Sequence, residues 1–92
     1  MQVHLTKAAR RELDKIAKGN RIVGRQIDKF LEYLKTIDDP FSLPNVKKLE
    51  GEAGWRFRLG DIRLKFRFIK NKIEITKIIE IYKIAHRREV YD

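Results

Sequence analysis

Cysteine is missing from all 92 residues, which excludes disulfide scaffolds, thiolate zinc sites and cysteine nucleophiles. The two histidines, His4 and His86, stand far apart with no acidic cluster beside either, so no metal site is expected. Neither a Gly-rich phosphate loop nor a nucleophile elbow occurs, and no cofactor is called for. No apolar run approaches the roughly 18 residues of a membrane helix. The stretch MQVHLTKAARR lacks the continuous apolar core of a secretory signal, so a cytoplasmic protein is expected. Carboxylates are also scarce: 13 Asp and Glu stand against 22 Lys and Arg, a formal charge of +9. They make no credible catalytic pair, because Asp61 falls in a turn, Asp38 and Asp39 at a helix end, and Glu89 among arginines. The cationic excess favours a polyanion: nucleic acid first, an acidic protein second, and an anionic membrane last, with no membrane partner expected.

What the chain does have is enough for one core. With 42% hydrophobic and 38% charged residues, residues 1–92 are expected to form a single domain with a strongly solvated surface. Gln2 to Leu5 alternate like a short edge strand, where His4 reads as structural or incidental, and Thr6 is placed to cap a helix. Ala9, Leu13, Ile16 and Ala17 follow at helical spacing until Gly19 stops them. A second helix begins near Asn20, with Val23, Ile27, Phe30, Leu31 and Leu34 as its stripe, and ends before Asp38, Asp39 and Pro40. Asp39 to Ala53, with Pro40 and Pro44, reads as an ordered connection that includes a basic loop at Lys47 and Lys48.

The remaining third is strand-like, over roughly 54–59, 62–69 and 72–84. Gly60-Asp61 suits a two-residue hairpin turn, and Lys70-Asn71 can serve as a second tight connection. In the last strand Ile73 and Ile75 share a face that Lys77 would spoil before Ile79 and Ile81 resume it, so a bulge or an early strand end is expected near Lys77. The fold class is α+β: a short strand and a helical hairpin packed on a twisted antiparallel sheet.

The stretch GWRFRLGDIRLKFRF carries the chemistry. Turned at Gly60-Asp61, it sets Trp55, Phe57, Leu59, Ile62, Leu64, Phe66 and Phe68 on one face, for the helices to cover. Arg56, Arg58, Arg63, Lys65 and Arg67 fall on the other. Arg58 then faces Arg63 and Arg56 faces Lys65, and like charges opposed across a ladder cost a few tenths to about 1 kcal/mol per pair. Cations on an outer sheet face also prevent edge-to-edge aggregation. Four of these five are Arg, however, whose planar fork suits phosphate.

In the order VKKLEG, WRFRLGDIRLKFRF and HRREVYD, the chain resembles the RelE/ParE toxin superfamily, and more nearly its RelE-type mRNA interferases, over nearly its whole length. The resemblance implies a toxin that enters the ribosomal A site and cuts mRNA there by 2′-OH attack on the adjacent phosphodiester, without metal. It implies a cognate antitoxin, RelB-like, small and acidic, that folds on binding and forms a hetero-oligomer with the toxin.

Carried onto this sequence, the family's basic pair falls on Arg56 and Arg58, where lysines are common; arginines grip phosphate but do not act as bases. The next arginine matches Arg63, a candidate for stabilising the phosphorane. Tyr91 matches the family's tyrosine, for stacking on a base or orienting a proton. A family arginine is replaced by Ala85, so Arg87 or Arg88 supplies that cation, or it is absent. His86, set among arginines that favour its neutral form, is either a proton acceptor or a turn residue bonded to backbone. Lys47, Lys48, Lys65, Arg67, Arg87 and Arg88 are candidate RNA contacts. Tyr33 and Tyr82 are left outside the site. Two rival readings remain open at this stage: a ParE-like inhibitor of a DNA topoisomerase, and a non-catalytic module that only tracks phosphates on RNA or the ribosome.

Overall fold

In the computed structural model, which describes residues 1–71 and 76–89, the helical stripes set the architecture. Thr6 accepts from the Ala9 amide (3.1 Å) and starts α1 (Lys7–Gly19). Asn20 closes α1 through its own N–H and caps α2 (Arg21–Leu34) with its side chain, which accepts from the Val23 amide. One residue therefore ends one helix and begins the next, which folds the pair into a hairpin. The helices meet at Gly24, where a β-carbon would stand 2.6 Å from the Ala17 methyl carbon. Only glycine permits that approach.

The strands β1 (Gln2–Leu5), β2 (Val46–Lys48), β3 (Trp55–Leu59), β4 (Ile62–Asn71) and β5 (Thr76–His86) form one sheet in the order β1-β5-β4-β3-β2. Most pairings are antiparallel, but β1 joins β5 in parallel, so the sheet is mixed. Residues Val46–Lys48, expected in a loop, instead extend the sheet past β3. The pairing Leu59 with Ile62 places the turn at Gly60, whose φ of 60° a hairpin turn requires. The second connection is corrected: β4 continues through Lys70 and Asn71, which pair with Lys77 and Thr76. The expectation for Ile73 and Ile75 lies outside the described residues.

The bulge is also relocated. The ladder runs evenly past Lys77 and slips between Lys65, opposite Lys83, and Phe66, opposite Ile81, which leaves Tyr82 as the extra residue. The slip explains the burial pattern of β5. Ile79 and Ile81 are buried on the helix side, and the added residue turns Ile84 onto that side as well. Above them lie Ala9, Leu13, Ile27, Leu31 and Leu34. Aromatic rings extend the core, with Phe57 stacked on Phe66 at 4.1 Å and met edge-on by Phe30 at 5.0 Å. Phe41 follows Pro40 in a 3₁₀ turn (Pro40–Ser42) and lies 5.0 Å from Trp55, whose ring is packed into this cluster as its alternation requires.

Where β1 stops, Glu12 of α1 takes over the exposed edge of β5. Its carboxylate accepts from the Ile84 amide (3.0 Å) and from Lys83 Nζ (3.1 Å). Among the described residues, no helix is long and apolar enough to cross a membrane.

Candidate functional site

The helices cover one sheet face and leave the other to the cations, whose order follows from the ladder register. Lys47, Arg56, Lys65 and Lys83 are successive cross-strand partners, a row of four cations over β2, β3, β4 and β5. Neighbouring strands lie about 4.8 Å apart, so the cations stand shoulder to shoulder. Beside this row run Arg58, Arg63 and Ala85, and on its other flank Arg67, Glu80 and His4. The apolar and cationic faces expected of the hairpin are thus both present.

The cations do not stand equally in water. Arg56 is 7% exposed and Arg63 6%, whereas Arg58 is exposed. The two buried arginines occupy central strands with a ladder partner on each side, Lys47 and Lys65 for Arg56, Arg58 and Ala85 for Arg63. The Arg63 guanidinium folds back on the hairpin turn, donating to Gly60 O (2.8 Å) and Ile62 O (3.2 Å). Arg63 is thereby held as a fixed, always protonated charge.

Sequence reasoning missed two members of this face, Glu52 and Tyr82. Leu49 N–H donates to Gly54 O (3.0 Å), which closes the loop from β2 to β3 down on the sheet. There Glu52 accepts from Lys65 Nζ (3.0 Å) and from the Tyr82 hydroxyl (3.4 Å). The Lys65 ammonium, donating a hydrogen bond and lying close as a charge, holds the carboxyl of the exposed Glu52 below its ordinary pKa, against a smaller opposing effect of desolvation. Burial first, then the Glu52 charge, pushes the Tyr82 phenol above its ordinary value, with Arg67 opposing. The Arg67 guanidinium carbon sits 3.9 Å from the centre of the Tyr82 ring, and Arg67 also donates to Glu80 at 3.0 Å. Alternation from Ile79 and Ile81 sets Tyr82 on this face, and that signal was available in the sequence.

His86 is not brought to Arg56, Arg58 and Arg63, although it lines an open cleft with Asp61, Arg87 and Arg88. It pairs with Ile62, a core residue, and so takes the helix-side face, one position past Ala85, which neighbours Arg63 on the opposite face. There His86 rims a cleft of about 440 Å³ with Glu12 and Asn20, floored by Ile16, Val23 and Ile84. Ala85 is buried beside Arg63, its partner in the ladder. Arg87 and Arg88 are exposed in the turn after β5, where Arg87 Nε lies 3.6 Å from Asp61. Lys47 joins the cationic face, while Lys48, opposite Trp55, falls on the other. Tyr91 lies outside the described residues. Among those described, no three His, Asp or Glu side chains gather into a metal-binding group.

A family model described as the ParE toxin of the type II toxin–antitoxin system parDE matches residues 3–91. The chain belongs to the ParE toxin family. No protein of curated function matches it in sequence. In fold, this toxin is similar to a YoeB/ParE toxin from Agrobacterium tumefaciens, with 17% identity, a TM-score of 0.71, and coverage of 94% of this chain and 98% of that one. It is also similar to a chain of the toxin–antitoxin complex RelBE2 from Mycobacterium tuberculosis, at 25% identity and a TM-score of 0.67, covering 94% of this chain and 96% of that one. Two helices on a five-stranded mixed sheet are the RelE/ParE-like arrangement, which places the toxin within that superfamily.

Proposed function

We propose that residues 1–92 form one cytoplasmic toxin domain that acts on RNA, as a ribosome-dependent endonuclease that cuts mRNA in the A site. The observation that carries this reading is the unbroken row Lys47, Arg56, Lys65 and Lys83 on the face free of helices. A continuous band of cations on a sheet face attracts a polyanion and has no purpose in the core, even with Lys65 and Lys83 paired to Glu52 and Glu12. In the reaction the 2′-oxygen attacks phosphorus and the bond to the 5′-oxygen breaks, which leaves a 2′,3′-cyclic phosphate and a 5′-hydroxyl. Arg56 and Arg58 hold the phosphodiester and Arg63 offsets the charge that builds on the phosphorane. These arginines cannot take the 2′-hydroxyl proton. With His86 on the other face, proton transfer and in-line geometry depend on the ribosome, which accounts for ribosome dependence.

The partner of the free toxin is an acidic antitoxin. The charge of +9 supports this, as does the likeness to a toxin solved in a toxin–antitoxin complex. A translation extract tests the function: codon-spaced mRNA ends, mapped by primer extension, should appear with the toxin and vanish with Arg58→Glu and Arg63→Lys. A second reading, inhibition of a DNA topoisomerase, is favoured by the separation of His86 from Arg56, Arg58 and Arg63 and by the family description. Whole mRNA together with a blocked gyrase supercoiling assay would replace the first reading with the second.

A further inference from the structure

The flank of the cationic row at Arg67 is built differently from the rest. Arg58, Arg87 and Arg88 are exposed, and the only bond that the described residues give any of these three side chains is the 3.6 Å approach of Arg87 to Asp61. The Arg67 guanidinium is pinned from two directions: Glu80 accepts from Nη1 at 3.0 Å, and the Tyr82 ring lies 3.9 Å from its central carbon. Its side chain nevertheless remains 52% exposed. Tyr82 is itself fixed, with its hydroxyl on Glu52 at 3.4 Å and so close to Gly54 that a β-carbon there would approach it to 3.2 Å. A flat cation held over an aromatic ring, with its own surface in water, is a platform on which a further planar ring can stack with little additional loss of side-chain freedom.

Resting on the RNA-directed reading above, we propose that Arg67, backed by Tyr82, is a stacking subsite for one base of single-stranded RNA. Arg67 lies two residues from Lys65 on the same face of β4, about 7 Å along the strand, so a strand drawn to the cationic row can lay a base on Arg67, which is exposed where Lys65 is held by Glu52. Arginine planes and aromatic rings accept any base by stacking, so the subsite selects unpaired RNA and not a sequence. Tyr82 reaches this face by the alternation that follows Ile79 and Ile81, and as the bulge residue it stands unpaired in the ladder beside Arg67 and Glu52.

The test compares two probes on the purified toxin at low salt: a short single-stranded oligoribonucleotide carrying 2-aminopurine, and an abasic oligomer of equal length and charge. The wild type should bind the first about tenfold more tightly than the second, with quenching of 2-aminopurine. Arg67→Lys keeps the charge and the partner Glu80 but loses the plane; it should abolish the quenching and most of the difference while holding its abasic affinity. Tyr82→Phe keeps the ring and should keep both. An unchanged difference in Arg67→Lys, or its loss in Tyr82→Phe, overturns the subsite. Equal binding of both probes by the wild type overturns the subsite alone and leaves the RNA reading standing, whereas binding of neither probe overturns both.

Discussion

Gly54 ties the fold to the cationic face, and replacing it with Ala tests that tie. Its φ is 107°, a backbone conformation that residues with a β-carbon rarely adopt. Here the close approach matters as much as the angle. An added β-carbon would stand 3.0 Å from the Phe66 carbonyl oxygen and 3.2 Å from the Tyr82 hydroxyl. The hydroxyl can swing away, but the carbonyl belongs to the central strand β4 and cannot, so the loop must lift. Strain at positive φ is about 1–3 kcal/mol, and overlap with fixed backbone adds about 1 more. At 4–8 °C per kcal/mol for a chain of this size, the total of about 2–4 kcal/mol means that Gly54→Ala should lower the melting temperature by roughly 8–30 °C. The control is Gly51→Ala, at φ 74° with nothing within 4 Å, which carries the angle penalty alone. Thermal unfolding followed by circular dichroism gives the two shifts, and titration of the Tyr82 phenol by near-ultraviolet absorbance shows whether Glu52 has moved. Lifting the loop removes the Glu52 charge and hydrogen bond, both of which raise the phenol pKa, so the Tyr82 midpoint should fall in Gly54→Ala and stay in Gly51→Ala. Equal melting of the two variants, with an unmoved Tyr82 midpoint, would refute the reasoning.

Three further outcomes follow from the same contacts. Glu12→Ala strips the Ile84 amide of its acceptor and should cost about 1.5 kcal/mol, whereas Glu12→Gln keeps that bond and loses only the pair with Lys83, about 0.5 kcal/mol; equal urea midpoints for the two variants would show that the Ile84 amide needs no side-chain acceptor. The Glu52 carboxyl is held below its ordinary 4.5, so its bond to Lys65 contributes above that pH and is lost as pH falls through the lower folded value; Tyr82 is raised above 10.0, so its contribution is present below pH 10 and fades as pH rises through the higher folded value. Difference titrations of Glu52→Gln and Tyr82→Phe against wild type check both signs. Finally, His86→Gln should leave ribosome-dependent cleavage within about twofold of wild type, because the side chain faces the helices; a loss of a hundredfold or more, the scale of a general base, would return it to the mechanism.

Much of the fold was legible because its signals are local. Thr6 and Asn20 mark helix ends through their own hydrogen bonds, and Gly60 marks a hairpin that fixes the register of ten neighbouring residues. β2 was not legible. Three residues, Val46–Lys48, are too few to show alternation between two prolines and a glycine, and they become a strand only because β3 offers an edge. The parallel pairing of β1 with β5 was equally hidden, since it joins residues some 75 positions apart and leaves no local mark. Burial of Arg56 and Arg63 followed the same logic: alternation gives a side chain its face, but neighbours on other strands decide how much water reaches it.

The site shows most clearly where sequence reading must stop. Alternation in KIIEIYKIAH, read without interruption, sets Ile79 and Ile81 on one face and Ile84 on the other, an apolar residue among cations. Inserting one unpaired residue anywhere between Ile81 and Ile84 removes the conflict, and the chain inserts it at Tyr82. That position has a physical rationale. A large, partly polar ring is a costly bulge residue in a core but a cheap one on the cationic face, where Glu52 takes its hydroxyl and Arg67 covers its ring. Alternation from Ile79 and Ile81 already sets Tyr82 on the cationic side; the slip that preserves the core leaves it there and carries His86, two residues beyond Ile84, to the helix side. The conflict at Ile84 was visible in the sequence and should have been read as a bulge near it. What the sequence could not supply was the partner that makes Tyr82 the favourable place, because Glu52 reaches it from a loop 30 residues away.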